Sequence, residues 1–201
     1  MSIRRAAFAL FLASFAVGLS AGTLPKGGFS DPFDGQTQVP QRRAQRGDWQ
    51  IANGVARCTQ DDELYKQFKD HGPIIFYDLD YSDATIHFRY KPEECKSFVF
   101  TANGAEGHVF RFITSAAGTS LRAFPPGEEK SIQLHRAAEL SLPDGQWTDV
   151  TVKLQGDTAT VTIGSNPAIK VEHASLARPK TNLSVGFAFG ACSFADVSAK
   201  P

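Results

Sequence analysis

Alternation of apolar and polar residues recurs along most of this chain, and it limits the fold more than any other feature. Side chains two apart share one face of a strand. Ala84, Ile86, Phe88 and Tyr90 alternate with Thr85, His87 and Arg89, Phe98 and Phe100 fall together, and Phe110 and Phe112 flank Arg111. Val150, Val152 and Leu154 alternate with Asp149, Thr151 and Lys153, and Ala159, Val161 and Ile163 with Thr158, Thr160 and Thr162. Leu183, Val185, Phe187 and Phe189 form the longest alternation, as a central strand would. Strands with one apolar and one polar face belong to antiparallel sheets. The Asp-Gly and Asn-Gly pairs at 34–35, 53–54, 103–104 and 144–145 supply hairpin and loop turns between them. Helical spacing is confined to Asp61–Phe68, where Leu64 and Phe68 are four apart. Without crossover helices a parallel α/β sheet is excluded. The pattern predicts an all-β, two-sheet antiparallel jelly-roll sandwich in one domain.

The first 22 residues have a different character. Arg4 and Arg5 precede an apolar run from Ala6 to Val17, and small residues follow up to Gly22, the layout of a secretory signal peptide. A run of about a dozen residues is short of the ~20 that a spanning helix requires. The reading is a signal peptide over 1–22, a Gly- and Pro-bearing linker over 23–28 and a sandwich over 29–201. The mature protein is expected to be secreted or periplasmic, with no membrane insertion after signal removal. Cys58, Cys95 and Cys192 are far apart and form no C-x-x-C motif, which argues against a zinc ribbon. In an oxidising compartment they allow three single-disulfide pairings, among which the sequence does not choose.

With 21 basic and 21 acidic residues the formal net charge is +0, so nothing points to nucleic acid or to an anionic membrane as partner. No G-x-S-x-G, G-x-x-x-x-G-K, H-E-x-x-H or EF-hand pattern occurs. The E-x-D-x-x-E strand of jelly-roll glucanases is also missing. Glu93-Glu94 and Glu128-Glu129 lie in Pro-containing stretches, where adjacent side chains diverge, and read as solvated loop charges. No metal cluster or cofactor motif is evident, although a divalent ion held by scattered carboxylates and loop carbonyls would leave no signature.

The polar faces carry the candidate chemistry. His87 and Arg89 share one strand face, Arg111 lies on another strand, Arg122 precedes Phe124, and Gln133 and His135 fall in the 131–136 run. If these strands neighbour one another, the residues share one sheet face on which a carbohydrate ligand could lie. Arg and His would donate hydrogen bonds there and an aromatic would stack. Asn103-Gly104-Ala105-Glu106-Gly107-His108 adds an amide and an imidazole, although parity puts His108 in phase with core-facing Phe110 and Phe112. His71, in Asp70-His71-Gly72-Pro73, reads as turn chemistry, and Trp49 and Trp147 as core anchors.

Three stretches carry a resemblance: Phe29-x-Asp31-x-Phe33, Trp49-Gln50-Ile51-x-Asn53-Gly54-Val55 and the run from Tyr81 to Arg89. Gly145-Gln146-Trp147 through Val152, Gly186-Phe187 and Phe194-Ala195-Asp196-Val197 extend it over most of the mature chain. The layout resembles the 3-keto-disaccharide hydrolase family, also described as 3-keto-glucoside lyases and hydratases, with a concanavalin-like sandwich. The family's Asn-Ser-Gly-Ile and Glu-x-Gln strands are replaced here by Cys95–Phe100 and Gly107–Phe112. The resemblance implies elimination at a 3-ketoglycoside, with His108 or His87 as base and Arg89 or Arg111 as oxyanion stabiliser. Arg122, Phe124, Gln133, His135 and Asn103 are the candidate substrate contacts. The other expectation is a non-catalytic carbohydrate-binding or envelope accessory module on the same fold.

Overall fold

The structure, a computed structural model, describes residues 22–201; the expected signal segment lies outside the described residues except for Gly22. In chain order the early strands are β1 (Gly22–Thr23), β2 (Phe29–Ser30), β3 (Arg42–Gln45), β4 (Gln50–Ala52) and β5 (Val55–Thr59). The middle of the chain gives β6 (Ile74–Tyr81), β7 (Ala84–Glu93), β8 (Ser97–Gly104), β9 (Gly107–Ser115), β10 (Gly118–Ala123) and β11 (Ile132–Ala137). The last are β12 (Thr148–Gln155), β13 (Thr158–Ile163), β14 (Ile169–Glu172), β15 (Lys180–Ala188) and β16 (Ala191–Lys200).

These strands form two eight-stranded sheets. The first runs β1-β6-β15-β8-β9-β10-β11, with β3 also on β6; the second runs β14-β13-β12-β7-β16-β5-β4, with β2 on β16. All ladders between these strands are antiparallel except β1 on β6. The architecture is the all-β jelly-roll sandwich that alternation predicts. The strand 180–188 lies inside its sheet, between β6 and β8, as its long apolar alternation requires.

Aromatic rings fill the space between the sheets. Phe88 and Tyr90 of β7 meet Phe98 and Phe100 of β8 and Phe112 of β9, and all five are buried. Tyr90 stacks on Phe98 at 4.3 Å, Phe88 on Phe100 at 5.8 Å and Phe100 on Phe112 at 5.6 Å. Alternation therefore has a definite outcome: once Phe98, Phe100 and Phe112 turn inward, Val99, Thr101 and Arg111 turn outward.

A buried polar centre ties the amino-terminal segment to this frame. The Asp31 side chain, fully buried, accepts from Arg42 Nη1 at 2.9 and 3.1 Å, from Tyr77 Oη at 2.9 Å and from the Phe33 amide at 3.0 Å. Asp31 directly follows β2 in the second sheet, while Arg42 and Tyr77 belong to β3 and β6 of the first. One carboxylate thus links both layers. The expected linker is part of the fold as well. Leu24 is buried and its amide donates to Asp80 O at 2.9 Å, because the β6 edge offers free carbonyls there. The helical stretch forms α1 (Asp62–Gln67), with Asp61 Oδ1 accepting from the Glu63 and Leu64 amides at 2.8 and 3.0 Å. All three thiols are buried and free.

Removing one member of a buried ion pair strands the other. Asp31→Ala should therefore lower the unfolding free energy by about 3–5 kcal/mol, read from the denaturant midpoint. Phe100→Ala should cost a similar ~3–5 kcal/mol through the cavity it opens.

Candidate functional site

The outer face of the first sheet carries a groove of about 520 Å³. Its floor is low because the outward residues of β15 and β8 are small. Ser184 pairs with Thr101, Gly186 with Val99 and Ala188 with Ser97 across the ladder. Larger outward side chains stand on either side, Phe76 beside Ser184 on β6 and Arg111 beside Thr101 on β9. The wall at one end is the segment from Tyr65 to Pro73. It lies directly on β15: a Cβ on Gly186 would meet Pro73 O at 2.8 Å, and the Phe187 carbonyl lies against Gly72. Arg46, Tyr65, Asp70 and His71 line the groove from that side.

A β-bulge sets the opposite side. The β8–β9 register pairs Ala102 with Phe110 but Asn103 with His108, which leaves Val109 as the extra residue. The bulge reverses parity, so His108 leaves the phase of Phe110 and Phe112 and lines the groove with Arg111. Val109 is buried in its place.

The polar side chains hold one another. Arg111 Nη2 donates to His108 Nε2 at 2.6 Å, and Arg111 Nε donates to Thr101 Oγ1 at 3.2 Å. With Nε2 accepting, Nδ1–H of His108 donates to Asn103 Oδ1 at 2.5 Å. Asn103 Nδ2 in turn donates to Asn182 Oδ1 at 2.7 Å. The chain of bonds requires a neutral His108. Partial burial, then the Arg111 cation, then His71 push this imidazole down to about 4. Phe124 closes the network, edge-on to His108 at 5.0 Å and under the Arg111 guanidinium at 5.2 Å.

Beyond His108 a second hollow of about 350 Å³ is lined by Glu106, Phe124, Pro125, Pro126 and Arg178, with His108 shared between the two. Arg178 Nη2 donates to the carbonyls of His108 and Phe124 at 2.8 and 2.5 Å, fixing both backbones.

The structure divides the sequence-predicted residues. Asn103, His108, Arg111 and Phe124 come together at the groove. Arg122 lies opposite Arg111 on β10, and its Nη1 faces Gln133 Oε1 at 3.5 Å. The expectation that His87 and Arg89 share this face is corrected: β7 belongs to the second sheet. There His87 faces Thr151 and Asp149, while Arg89 bonds Asp196 at 3.2 Å and covers the Trp147 ring. Parity assigns a face within a strand, but it does not tell which sheet the strand joins. His135 is also apart, beside Asn166, Ile169 and Lys170 at the edge between β11 and β14.

Sequence reading passed over His71, Tyr65, Asn182 and Ser184. The two carbonyls Phe68 O and Lys69 O, at 3.0 and 2.8 Å, accept from His71 Nδ1–H. That bond fixes the tautomer and leaves Nε2 without a partner among the described residues. The Asp70-His71-Gly72-Pro73 turn was the available signal, since it is the turn that delivers the imidazole to the groove. Asp70 is the one carboxylate lining the groove among the described residues, so no carboxylate pair spans it. No group of three or more potential metal ligands occurs among the described residues.

No family model matches the chain, and no curated protein matches it in sequence. Solved structures do match in fold. A carbohydrate-binding module of Bacillus subtilis, CBM66, superposes with a TM-score of 0.60 at 11% identity, covering 80% of this chain and 96% of that one. The Bacillus licheniformis β-glucanase gives 0.63 at 8% identity over 87% and 98% of the two chains. The transglycosylase Crh5, in its apo form, gives 0.64 at 10% identity over 90% and 85%. This chain therefore has the concanavalin-like jelly-roll fold.

The network makes a direct prediction for pH. Histidine in the unfolded chain takes up its proton near ~6.5, whereas His108 in the fold does so near about 4, so stability should fall as pH drops through that window. An NMR titration should place the His108 midpoint near 4, and Arg111→Met, which removes both the cation and the donor, should move it back toward ~6.5.

Proposed function

We propose that this protein is an exported carbohydrate-binding protein that lays a glycan in the groove across β6, β15, β8 and β9. One observation carries the reading: amide, hydroxyl, imidazole and guanidinium groups are fixed by mutual bonds above a floor of small side chains. Sugar hydroxyls are paired donors and acceptors, and a pre-ordered set of planar polar groups binds them at low entropic cost. Tyr65 and Phe76 supply apolar faces at one side. The shared fold of a carbohydrate-binding module, a glucanase and a transglycosylase supports a carbohydrate role.

The absence of a carboxylate pair from the described groove lining argues against ordinary glycoside hydrolysis there. His71 favours a second reading, in line with the resemblance to 3-keto-disaccharide hydrolases. Its open Nε2 would take the proton from C2 of a 3-ketoglycoside, which the ketone acidifies. The C1–C2 double bond would form as the C1–O bond breaks, and the departing aglycone oxygen would gain a proton. Arg111 would stabilise the enolate oxygen. His108 suits the base role less well, because its Nε2 lone pair is engaged by Arg111. His87 and Arg89, on the other sheet, would not reach the same substrate.

Calorimetry of the purified protein against neutral, charged and 3-keto oligosaccharides tests both readings. Saturable binding is expected, with Asn103→Ala weakening it about 5- to 10-fold through one lost hydrogen bond. Release of aglycone from 3-keto substrates, lost in His71→Ala with binding retained, would establish the eliminating enzyme. No binding to any glycan would overturn the carbohydrate reading.

A further inference from the structure

The arginines of the described chain fall into two groups. Arg42, Arg43, Arg57, Arg89 and Arg178 each pair with a carboxylate. Arg46, Arg111, Arg122 and Arg136 have none within ion-pair distance among the described residues, and Arg136 is an exposed edge residue bonded to Ala117 O. The remaining three stand on or beside the groove. Arg46 lines one end and covers the Phe68 ring at 5.6 Å, while Arg111 lines the other. Arg122 is directly opposite Arg111 in the β9–β10 ladder, with both side chains on the outer face.

Two like charges directly opposite one another on neighbouring strands repel. Here the protein answers them with neutral acceptors alone. Arg122 donates to Ser131 Oγ at 2.7 Å and to Ser131 O at 3.0 Å, and Arg111 donates to Thr101 and to neutral His108. These bonds orient the guanidinium planes without neutralising them. The remaining N–H groups of Arg111 have no protein acceptor among the described residues. In a chain whose formal net charge is +0, three guanidiniums without an ion-pair partner among the described residues, at a groove lined by one carboxylate, Asp70, call for an external anion.

Resting on the carbohydrate reading above, we infer that the groove selects a negatively charged glycan, its carboxylate or sulfate group received by Arg111 with Arg122 behind it. Guanidinium forks match the two oxygens of such groups, and charge-assisted bonds there are roughly twice as strong as neutral ones. The Asn103–His108 chain then meets the hydroxyls of the same ring.

The test compares an oligouronide, the same oligomer with its carboxylates methyl-esterified, a sulfated oligosaccharide and its unsulfated parent, all by calorimetry on the purified protein. A charged oligomer should bind about tenfold or more tightly than its neutral counterpart. Whichever of the two pairs shows the difference identifies carboxylate or sulfate as the recognised group. The preference should shrink as salt is raised toward ~1 M. Arg122→Gln and Arg111→Gln, each checked by thermal melting for an intact fold, should each lower the ratio of charged to neutral affinity several-fold, whatever their effect on the neutral oligomer alone. Equal affinity for charged and neutral forms would overturn the inference and leave the carbohydrate reading standing. Binding of none of the four would overturn the inference, and failure of the 3-keto oligosaccharides as well would overturn the carbohydrate reading with it; equally tight binding of a single-stranded oligonucleotide would replace a sugar anion with a phosphate chain.

Discussion

The aromatic layer between the sheets is the constraint from which the rest follows. Phe88 and Tyr90 reach in from the second sheet against Phe98, Phe100 and Phe112 of the first, and ring-to-ring contact fixes the facing of β7, β8 and β9 together. A slip of one residue in any of these strands would turn its rings to water and its polar set to the core. The outward presentation of Thr101 and Arg111 is thus a consequence of core packing. The Asp31–Arg42–Tyr77 centre does complementary work at the edge, holding the amino-terminal segment across both layers.

On that frame the groove depends on two local departures from regularity. The extra residue at Val109 turns His108 outward and buries a valine in its place, so Arg111, His108, Asn103 and Asn182 can join in one hydrogen-bonded line. The tight seating of Gly72 and Pro73 on β15 brings the α1 segment over the sheet and gives the groove a wall. The small side chains at Ser184, Gly186 and Thr101 leave room beneath it. A neutral imidazole held between a guanidinium and an amide has both nitrogens engaged, so it orients Arg111 and Asn103 toward a ligand and has no free lone pair for proton transfer. His71, with one nitrogen tied to carbonyls and the other open, has the opposite character.

Period-two alternation made the strands, their buried faces and the interior position of β15 legible, because it reflects burial directly. Arg111 could be named for the same reason, Arg122 and Phe124 as a cation just ahead of an aromatic, and Asn103 from the glycine-punctuated stretch 103–108. His108 was in the wrong phase until the register of β8 against β9 supplied the bulge, and a bulge is a property of the pair rather than of either strand. His87 and Arg89 have faultless parity yet lie on the other sheet, since strand order is set by long-range pairing that no local pattern records. His71 reads as turn chemistry, and its Nδ1–H donates to the carbonyls of the Phe68–Lys69 turn that precedes it. What that turn approaches depends on residues more than 100 positions away on β15.

Amide and side-chain NMR shifts of the isotope-labelled protein, followed while an oligosaccharide is added, would test the central claim most directly. The account predicts saturable shifts at Thr101, Asn103, His108, Arg111, Asn182 and Ser184, with His87, Arg89 and Asp149 unmoved. Shifts centred on His87, Arg89 and Asp149 instead would put the ligand on the opposite sheet and contradict the assignment of this groove.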